Sequence, residues 1–338
     1  MIDGWQGKHG PYLIAEIGGN HEGDFEYAKE LTYLACTSGA DAVKFQIYTG
    51  ESLVSKLESP DRCSHFERFQ FTPEQYINLA EICKKEGVVF TASVWDSSAF
   101  DWIDPYMKFY KIGSGDLTAY PIIKKITSLK KPIILSTGLS TFNEVRTTVE
   151  FIQSQNSMYL EPENLALLQC TSMYPIPDED ANLQVMNLFR REFNLTIGYS
   201  DHTVGNDAVE IAVAMGAGII EFHFTDSREG KIFRDHQVSF TCDEIKRLIH
   251  RITKIKTLQG QMIKEPTISE IEANHVLTFR RAVYPLTDLT EGQIIKEKNL
   301  TILRPNLGVD ARKYETLIGK KTKKKIPAFS QIKILDVE

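Results

Sequence analysis

No run of apolar residues among the 338 reaches the length that spans a bilayer, so a membrane-embedded chain is not expected. Cysteine is sparse. The five thiols, at positions 36, 63, 83, 170 and 242, are odd in number and none are paired at metal-ligand spacing. That excludes a disulfide framework and a cysteine zinc site, and it reads as reduced, mostly buried thiols in a cytoplasmic protein. Positive charge is not in excess either. Lys and Arg number 39 against 45 Asp and Glu, a net charge of -6, which speaks against a general nucleic-acid binder. The short basic run Lys320 to Lys325 reads as a solvated turn. The opening Met1-Ile-Asp-Gly-Trp5 lacks the pattern of a signal peptide. No Gly-x-Gly-x-x-Gly turn follows the first apolar run, which weighs against a dinucleotide-binding fold.

What is present is a repeated alternation. Short apolar runs read as strands at Leu13 to Gly18, Ala42 to Gln46, Val88 to Trp95, Phe109 to Gly113, Ile133 to Gly138, Leu165 to Thr171, Leu195 to His202 and Gly218 to Thr225. Helical patterns separate them, with start signals at Thr72-Pro73 and at Thr141 with Glu144. The stretch 48 to 72 reads as a long polar loop. Eight strands alternating with eight helices over about 260 residues match a (β/α)8 TIM barrel in count and length, with a doubly wound open sheet as the runner-up. Residues 261 to 275 are polar and read as a linker. From 276 to 338 the text changes to a small β-rich domain, with short strands at Ala282 to Leu286, Gln293 to Ile295, Leu300 to Leu303 and Gln331 to Leu335.

A barrel of this kind places its chemistry at the C-terminal ends of its strands. Those ends carry Glu16, Asn20 and His21, then Lys44 and Gln46, Ser93 and Asp96, and Lys111, Ser114 and Asp116. They continue with Ser136 and Thr137, Thr171, Ser172 and Tyr174, Ser200, Asp201 and His202, and Glu221 and His223. Two lysines inside apolar runs, several hydroxyls and the Gly113 and Gly138 turns look like an anion site for phosphate or carboxylate, while either lysine alone could instead be paired with a local carboxylate such as Glu16. His202 and His223 end neighbouring parallel strands, with Glu221 two residues before the second. They could hold a divalent metal, or each could be a hydrogen-bonded rim residue. A metal beside an anion site suggests metal-assisted reaction of a phosphorylated substrate. A Schiff-base lysine at Lys44 or Lys111 is the competing chemistry. A barrel that binds a sugar or anion without turning it over is a third reading.

An ordered series of motifs covers essentially the whole chain. They are Ala15-Glu-Ile-Gly-Gly-Asn-His-Glu-Gly23, Val43-Lys-Phe-Gln46, Tyr110-Lys-Ile-Gly-Ser114 and Leu135-Ser-Thr-Gly138. Gln169-Cys-Thr-Ser-Met-Tyr-Pro175, Gly198-Tyr-Ser-Asp-His-Thr203 and Glu221-Phe-His-Phe-Thr225 follow, then Phe279-Arg-Arg281 and Leu303-Arg-Pro305. The series resembles the N-acetylneuraminate (sialic acid) synthase family with its appended SAF (antifreeze-like) domain. The resemblance implies a transferase that condenses phosphoenolpyruvate with an open-chain N-acetylated amino sugar and water, giving a nine-carbon 2-keto acid and phosphate. It implies Mn2+, or another divalent cation such as Mg2+, on His202 and His223. It gives Glu16, Glu221 and Asp235 catalytic roles. Glu221 and Asp235 would position and deprotonate the attacking water. Lys44, Ser93, Lys111, Ser114, Ser136 and Ser200 would hold phosphate and carboxylate. Glu16, Asp116, Ser172 and Tyr174 would face the sugar. It also implies a domain-swapped homodimer in which Arg304 and Phe279 reach the partner's sugar site. Ser172 stands where this family usually has Asn, and Asp116 where Glu is common. The sugar therefore stays open between N-acetylmannosamine and diacetamido sugars leading to legionaminic or pseudaminic acid.

Overall fold

The computed structural model describes residues 4–338, which fall into two compact units that divide between Gly260 and Gln261. The first is a closed barrel of eight parallel strands. These are β1 Gly10–Glu16, β2 Ala42–Ile47, β3 Val89–Val94, β4 Tyr110–Ile112, β5 Ile133–Ser136, β6 Leu165–Cys170, β7 Thr196–Asp201 and β8 Ile219–His223. Each pairs with the next in sequence, and β8 closes on β1 through Tyr12 to Ile219 and Glu16 to His223.

Alternation along the strands decides what fills the barrel. One set of residues, among them Leu13, Ala15, Val43 and Phe45, packs outward against the helices. The inward set begins apolar, with Tyr12, Ile14, Ala42, Phe109, Ile134, Ala166, Leu168 and Ile219. A two-residue strand, Gln6–Gly7, folds back antiparallel on β1. Beside it Trp5 meets Tyr12 and Phe109 edge-on, at 6.2 and 5.3 Å between ring centroids. Two residues further along each strand the same inward face turns polar: Glu16, Lys44, Ser93, Lys111, Ser136, Ser200 and Glu221, all buried. A period of two thus stacks a charged layer on an apolar one. Gly198 has the inward place on β7, where a Cβ would come within 2.4 Å of the Ile219 carbonyl.

The crossover helices follow their start signals. Thr72 with Gln75, Thr141 with Glu144 and Thr241 with Glu244 all form reciprocal capping boxes. The stretch 48 to 72, expected as a loop, instead holds the helices Gly50–Leu53 and Pro60–Phe69. The second of these has no apolar stripe to announce it.

His21 turns into the loop beyond β1, against Phe71 at 4.3 Å between ring centroids. Its Nδ1 accepts the Gly23 N–H at 3.0 Å. Burial pushes its pKa down to about 3, from 6.5 for an ordinary histidine. Below pH 6.5 the unfolded chain takes up a proton there that the folded chain refuses. Stability is therefore expected to fall by about 1.4 kcal/mol per pH unit on acidification through that window. A denaturant series from pH 7 to pH 4 checks it. His21→Gln flattens the slope by the same amount if His21 is its source.

The second unit pairs β9 Ala282–Pro285 antiparallel with β10 Leu300–Leu303 around a core that includes Val283, Leu289, Ile295, Leu317 and Ile332. The strand expected at Gln293 is only a single bridge, Ile294 to Lys321, and that expected at Gln331 gives way to a 3-10 turn, Ile334–Asp336. Within the stretch read as a linker lies the helix Ile268–Glu272, capped by Thr267. Among the described residues no helix is long and apolar enough to cross a membrane.

Candidate active site

The polar layer opens into a cleft of about 580 Å3 at the C-terminal ends of the strands. Fourteen of the sixteen residues given a role by the resemblance line it: Glu16, Lys44, Ser93, Lys111, Ser114, Asp116, Ser136, Ser172, Tyr174, Ser200, His202, Glu221, His223 and Asp235. Phe279 and Arg304 are not among the lining residues. They lie in the second unit, where the Arg304 guanidinium sits 5.4 Å from the Phe279 ring centroid.

At the floor, charges alternate. Lys44 Nζ is 2.6 Å from Glu16 Oε2 and 3.9 Å from Glu221 Oε2. Lys111 Nζ is 3.3 Å from Glu221 Oε1 and donates to Ser136 Oγ at 2.6 Å. Ser200 Oγ donates to Glu221 Oε1 at 3.0 Å, and Gln46 Nε2 donates to Glu16 Oε1 at 2.9 Å. Each buried ion thus has a neighbour of opposite sign, which such burial requires. Burial presses the Lys44 pKa down, but Glu16 and Glu221 more than offset this, so Lys44 stays an ammonium ion with a raised pKa. Burial wins at Lys111, whose pKa is lowered. Burial pushes Glu221 up, and Lys111 and Lys44 bring it below its ordinary value.

Above this floor stand the two histidines, their ring centroids 5.3 Å apart. His202 Nδ1 lies 2.7 Å from the Thr171 carbonyl, which can only accept, so Nδ1 carries the hydrogen and Nε2 keeps a free lone pair. Burial lowers the pKa of both rings, with His202 adding to the effect at His223, so both are neutral. The Nδ1 atom of His223 is buried without a hydrogen-bond partner among the described residues, and Asp235 Oδ2 is 3.9 Å from it. Neutral imidazole nitrogens with an unused lone pair beside a carboxylate suit a divalent cation of the Mn2+ class. Among the described residues no three His, Cys, Asp or Glu side chains converge as a cage. Two imidazoles would be the protein's share in holding such a cation, one fewer than the three protein ligands usual at a catalytic zinc.

The far wall brings two hydroxyls together. The Gly138 N–H donates to Ser114 Oγ at 3.0 Å. A Cβ on Gly138 would lie 2.5 Å from Ser172 Oγ, so the close approach of the two hydroxyls requires glycine. Beside them, burial raises the Asp116 pKa to about 6. Tyr174 stacks 4.1 Å from the His202 ring, and the Arg234 guanidinium lies 4.7 Å from the Tyr174 ring.

Sequence reasoning missed the mouth. Tyr48, Trp95, Arg62, His65, Phe66, Phe69, Phe233 and Arg234 all line it. Phe233 packs on Phe69 at 5.1 Å between centroids and on His65 at 6.2 Å, joining the helix Pro60–Phe69 to the loop after β8. Ser59-Pro60 followed by His65, Phe66 and Phe69 was the available signal. A larger cavity of about 750 Å3, between the helices Asp207–Ala214 and Cys242–Gln259, holds none of the strand-end groups. Its arginines pair with its own carboxylates, Arg251 with Glu210 at 2.8 Å and Arg228 with Glu244 at 2.5 Å.

Comparison with known proteins bears on the family and the fold. The NeuB family model matches residues 31–264, and the SAF domain model matches residues 280–338. The chain is 35% identical over 323 residues to the N,N'-diacetyllegionaminic acid synthase of Legionella pneumophila, covering 91% of this chain and 89% of the other. It is 30% identical over 341 residues to the pseudaminic acid synthase of Helicobacter pylori, covering 97% and 98%. Among solved structures it resembles the N-acetylneuraminic acid (sialic acid) synthetase of Leptospira borgpetersenii, at a TM-score of 0.72 and 28% identity. That likeness covers 79% of this chain and 91% of the other.

Proposed function

The chain belongs to the NeuB family and ends in a SAF domain, and from that premise we propose that it joins phosphoenolpyruvate to an open-chain N-acetylated amino sugar. The relatives support a synthase of the sialic, legionaminic or pseudaminic acid type. The observation that carries the reading is the alternating Glu16, Lys44, Glu221 and Lys111 array beneath two neutral imidazoles.

Lys44 and Lys111 would hold the phosphate and carboxylate of phosphoenolpyruvate, with Ser93, Ser114, Ser136 and Ser200 donating hydroxyl hydrogens. His202 and His223 would hold a divalent cation, Mn2+ or Mg2+, which when bound polarises the sugar aldehyde. C3 of phosphoenolpyruvate then bonds to the aldehyde carbon, and the aldehyde oxygen takes up a proton. Water adds to C2, positioned by Glu221 and Asp235; one of its protons passes through a carboxylate to replace the one taken up at the aldehyde oxygen, and the other leaves the C2 hydroxyl with the departing phosphate. The C2–O bond to phosphate breaks and the 2-keto group forms. Glu16, Asp116, Ser172 and Tyr174 would orient the sugar. The acceptor is N-acetylmannosamine or a diacetamido analogue. Lys44, held as an ammonium by two carboxylates, is a poor Schiff-base nucleophile.

The second unit exposes Leu277, Phe279, Leu303 and Leu307. This supports a swapped homodimer in which that face covers the partner's barrel mouth and brings Arg304 and Phe279 to its sugar site. The five free thiols accord with action in the cytoplasm.

Phosphate release from phosphoenolpyruvate, measured with a panel of N-acetylated hexosamines with Mn2+ and with EDTA, tests the reading. Release is expected only when both sugar and cation are present. Release in EDTA, with inactivation by borohydride, assigns the chemistry to a lysine. Binding of phosphoenolpyruvate without release by any sugar makes the barrel a binder.

A further inference from the structure

Asp235 is not on a strand. It sits on a 3-10 turn, Arg234–Val238, in the long excursion after β8, yet its carboxylate must meet groups fixed by the barrel. Something has to transmit the barrel's rigidity to that turn. A buried chain of three hydrogen bonds does so. Ser239 Oγ donates to the Asp235 carbonyl at 2.6 Å. Having donated its only hydrogen, Ser239 Oγ accepts from Asn20 Nδ2 at 2.8 Å. The second Nδ2 hydrogen of Asn20 goes to the Phe224 carbonyl at 2.8 Å, one residue beyond His223. Both acceptors require an N–H, which fixes the amide orientation. Asn20 is fully buried and Ser239 almost so. Asn20 is itself tied to β1 through its backbone N–H to the Ile17 carbonyl at 2.9 Å.

Asn20 therefore spans the end of β1, the residue after His223 and the Asp235 turn. We propose that Asn20 and Ser239 are positioning residues that set the height of the Asp235 carboxylate beside His223, touching neither substrate. This deepens the proposed function and rests on the reading of Asp235 as the group that positions the attacking water. A polar bridge suits the task because hydrogen bonds fix direction as well as distance, which apolar packing does not.

The test uses the full-length protein. Ser239→Ala removes the link without adding bulk, and Asn20→Asp is nearly isosteric but turns a donor into an acceptor facing the Phe224 carbonyl. Each is expected to lower kcat about tenfold to a hundredfold, the scale of an ångström-sized misplacement. KM for phosphoenolpyruvate is expected to stay within about twofold, because the anion site is built on β2 to β7. Ser239→Ala made on an Asp235→Asn background is expected to cost nothing further, since a positioning residue acts only through the group it positions. An equal loss in both backgrounds, or kcat unchanged by Ser239→Ala, overturns the proposal. A crystal structure of Ser239→Ala supplies a readout independent of turnover. Asp235 is expected to move from His223 by about 1 Å, and a carboxylate left in place overturns the proposal even if the wild-type protein proves to have no synthase activity.

Discussion

Lys111→Met is expected to lower kcat/KM for phosphoenolpyruvate about a thousandfold while the protein stays folded. Lys111 is 3% exposed and sits between Ser136 Oγ at 2.6 Å and Glu221 Oε1 at 3.3 Å, at the floor of the cleft. A buried charge-assisted contact of this kind contributes about 2–5 kcal/mol when one partner is removed. At about 1.4 kcal/mol per factor of ten, the middle of that range is two to three orders of magnitude, and loss of neutralisation at Glu221 adds to it. Stability falls too, since removing one partner of a buried pair leaves the other unpaired, but part of that loss is offset. Burial lowers the Lys111 pKa, so the folded protein already bears a cost for that ammonium, and methionine fills a similar volume without it. Glu221 keeps Ser200 at 3.0 Å and Lys44 at 3.9 Å. Steady-state kinetics beside thermal melts separate the two effects. A variant with unchanged kcat/KM would remove Lys111 from the anion site altogether.

That lysine was visible before any coordinates, and the reason is physical. Parallel strands buried on both faces are written in aliphatic residues, so a lysine at position 44 or 111 breaks its own context. The period of two then places each break on a definite face. Glu16, Lys44, Lys111 and Glu221 share the inward parity, which is why reading strand ends in order collected residues that meet within 4 Å. Where the signal depends on tertiary contact instead of period, the reading fell short. The helix Pro60–Phe69 carries one buried phenylalanine, Phe69, and one buried cysteine, Cys63, along a mostly charged surface. It is held by Phe233 from 164 positions further along the chain, a contact no local pattern encodes. The strand expected at Gln293 fails for a related reason, because a single bridge to Lys321 needs no alternation. His21 shows the converse. A histidine in a strand-end motif looks like a rim residue, but its ring packs on Phe71 and its Nδ1 serves the backbone of its own turn.

His223→Ala is expected to abolish synthase activity, by about a thousandfold or more in kcat, and to remove Mn2+ binding measured by calorimetry on the protein alone. The argument rests on what His223 does not do. Its Nδ1 is buried without a partner among the described residues. A buried polar atom left unpaired costs about 1–3 kcal/mol, so its retention at a strand end calls for a use outside the fold. Burial first, then the charges of Lys44 and Arg234, hold its pKa well below the ordinary histidine value, so the ring stays a neutral lone-pair donor. If the two imidazoles hold the cation, removing one would halve the imidazole share of its coordination. The same truncation should be nearly silent in folding, because no hydrogen bond is lost at Nδ1 and the neighbouring Tyr174 ring, 5.6 Å away between centroids, is only half-buried and can settle toward the space. A large loss of thermal stability with Mn2+ binding intact would make His223 a structural histidine. Loss of binding and turnover together, in a protein that melts like the wild type, would place the cation on the two rings.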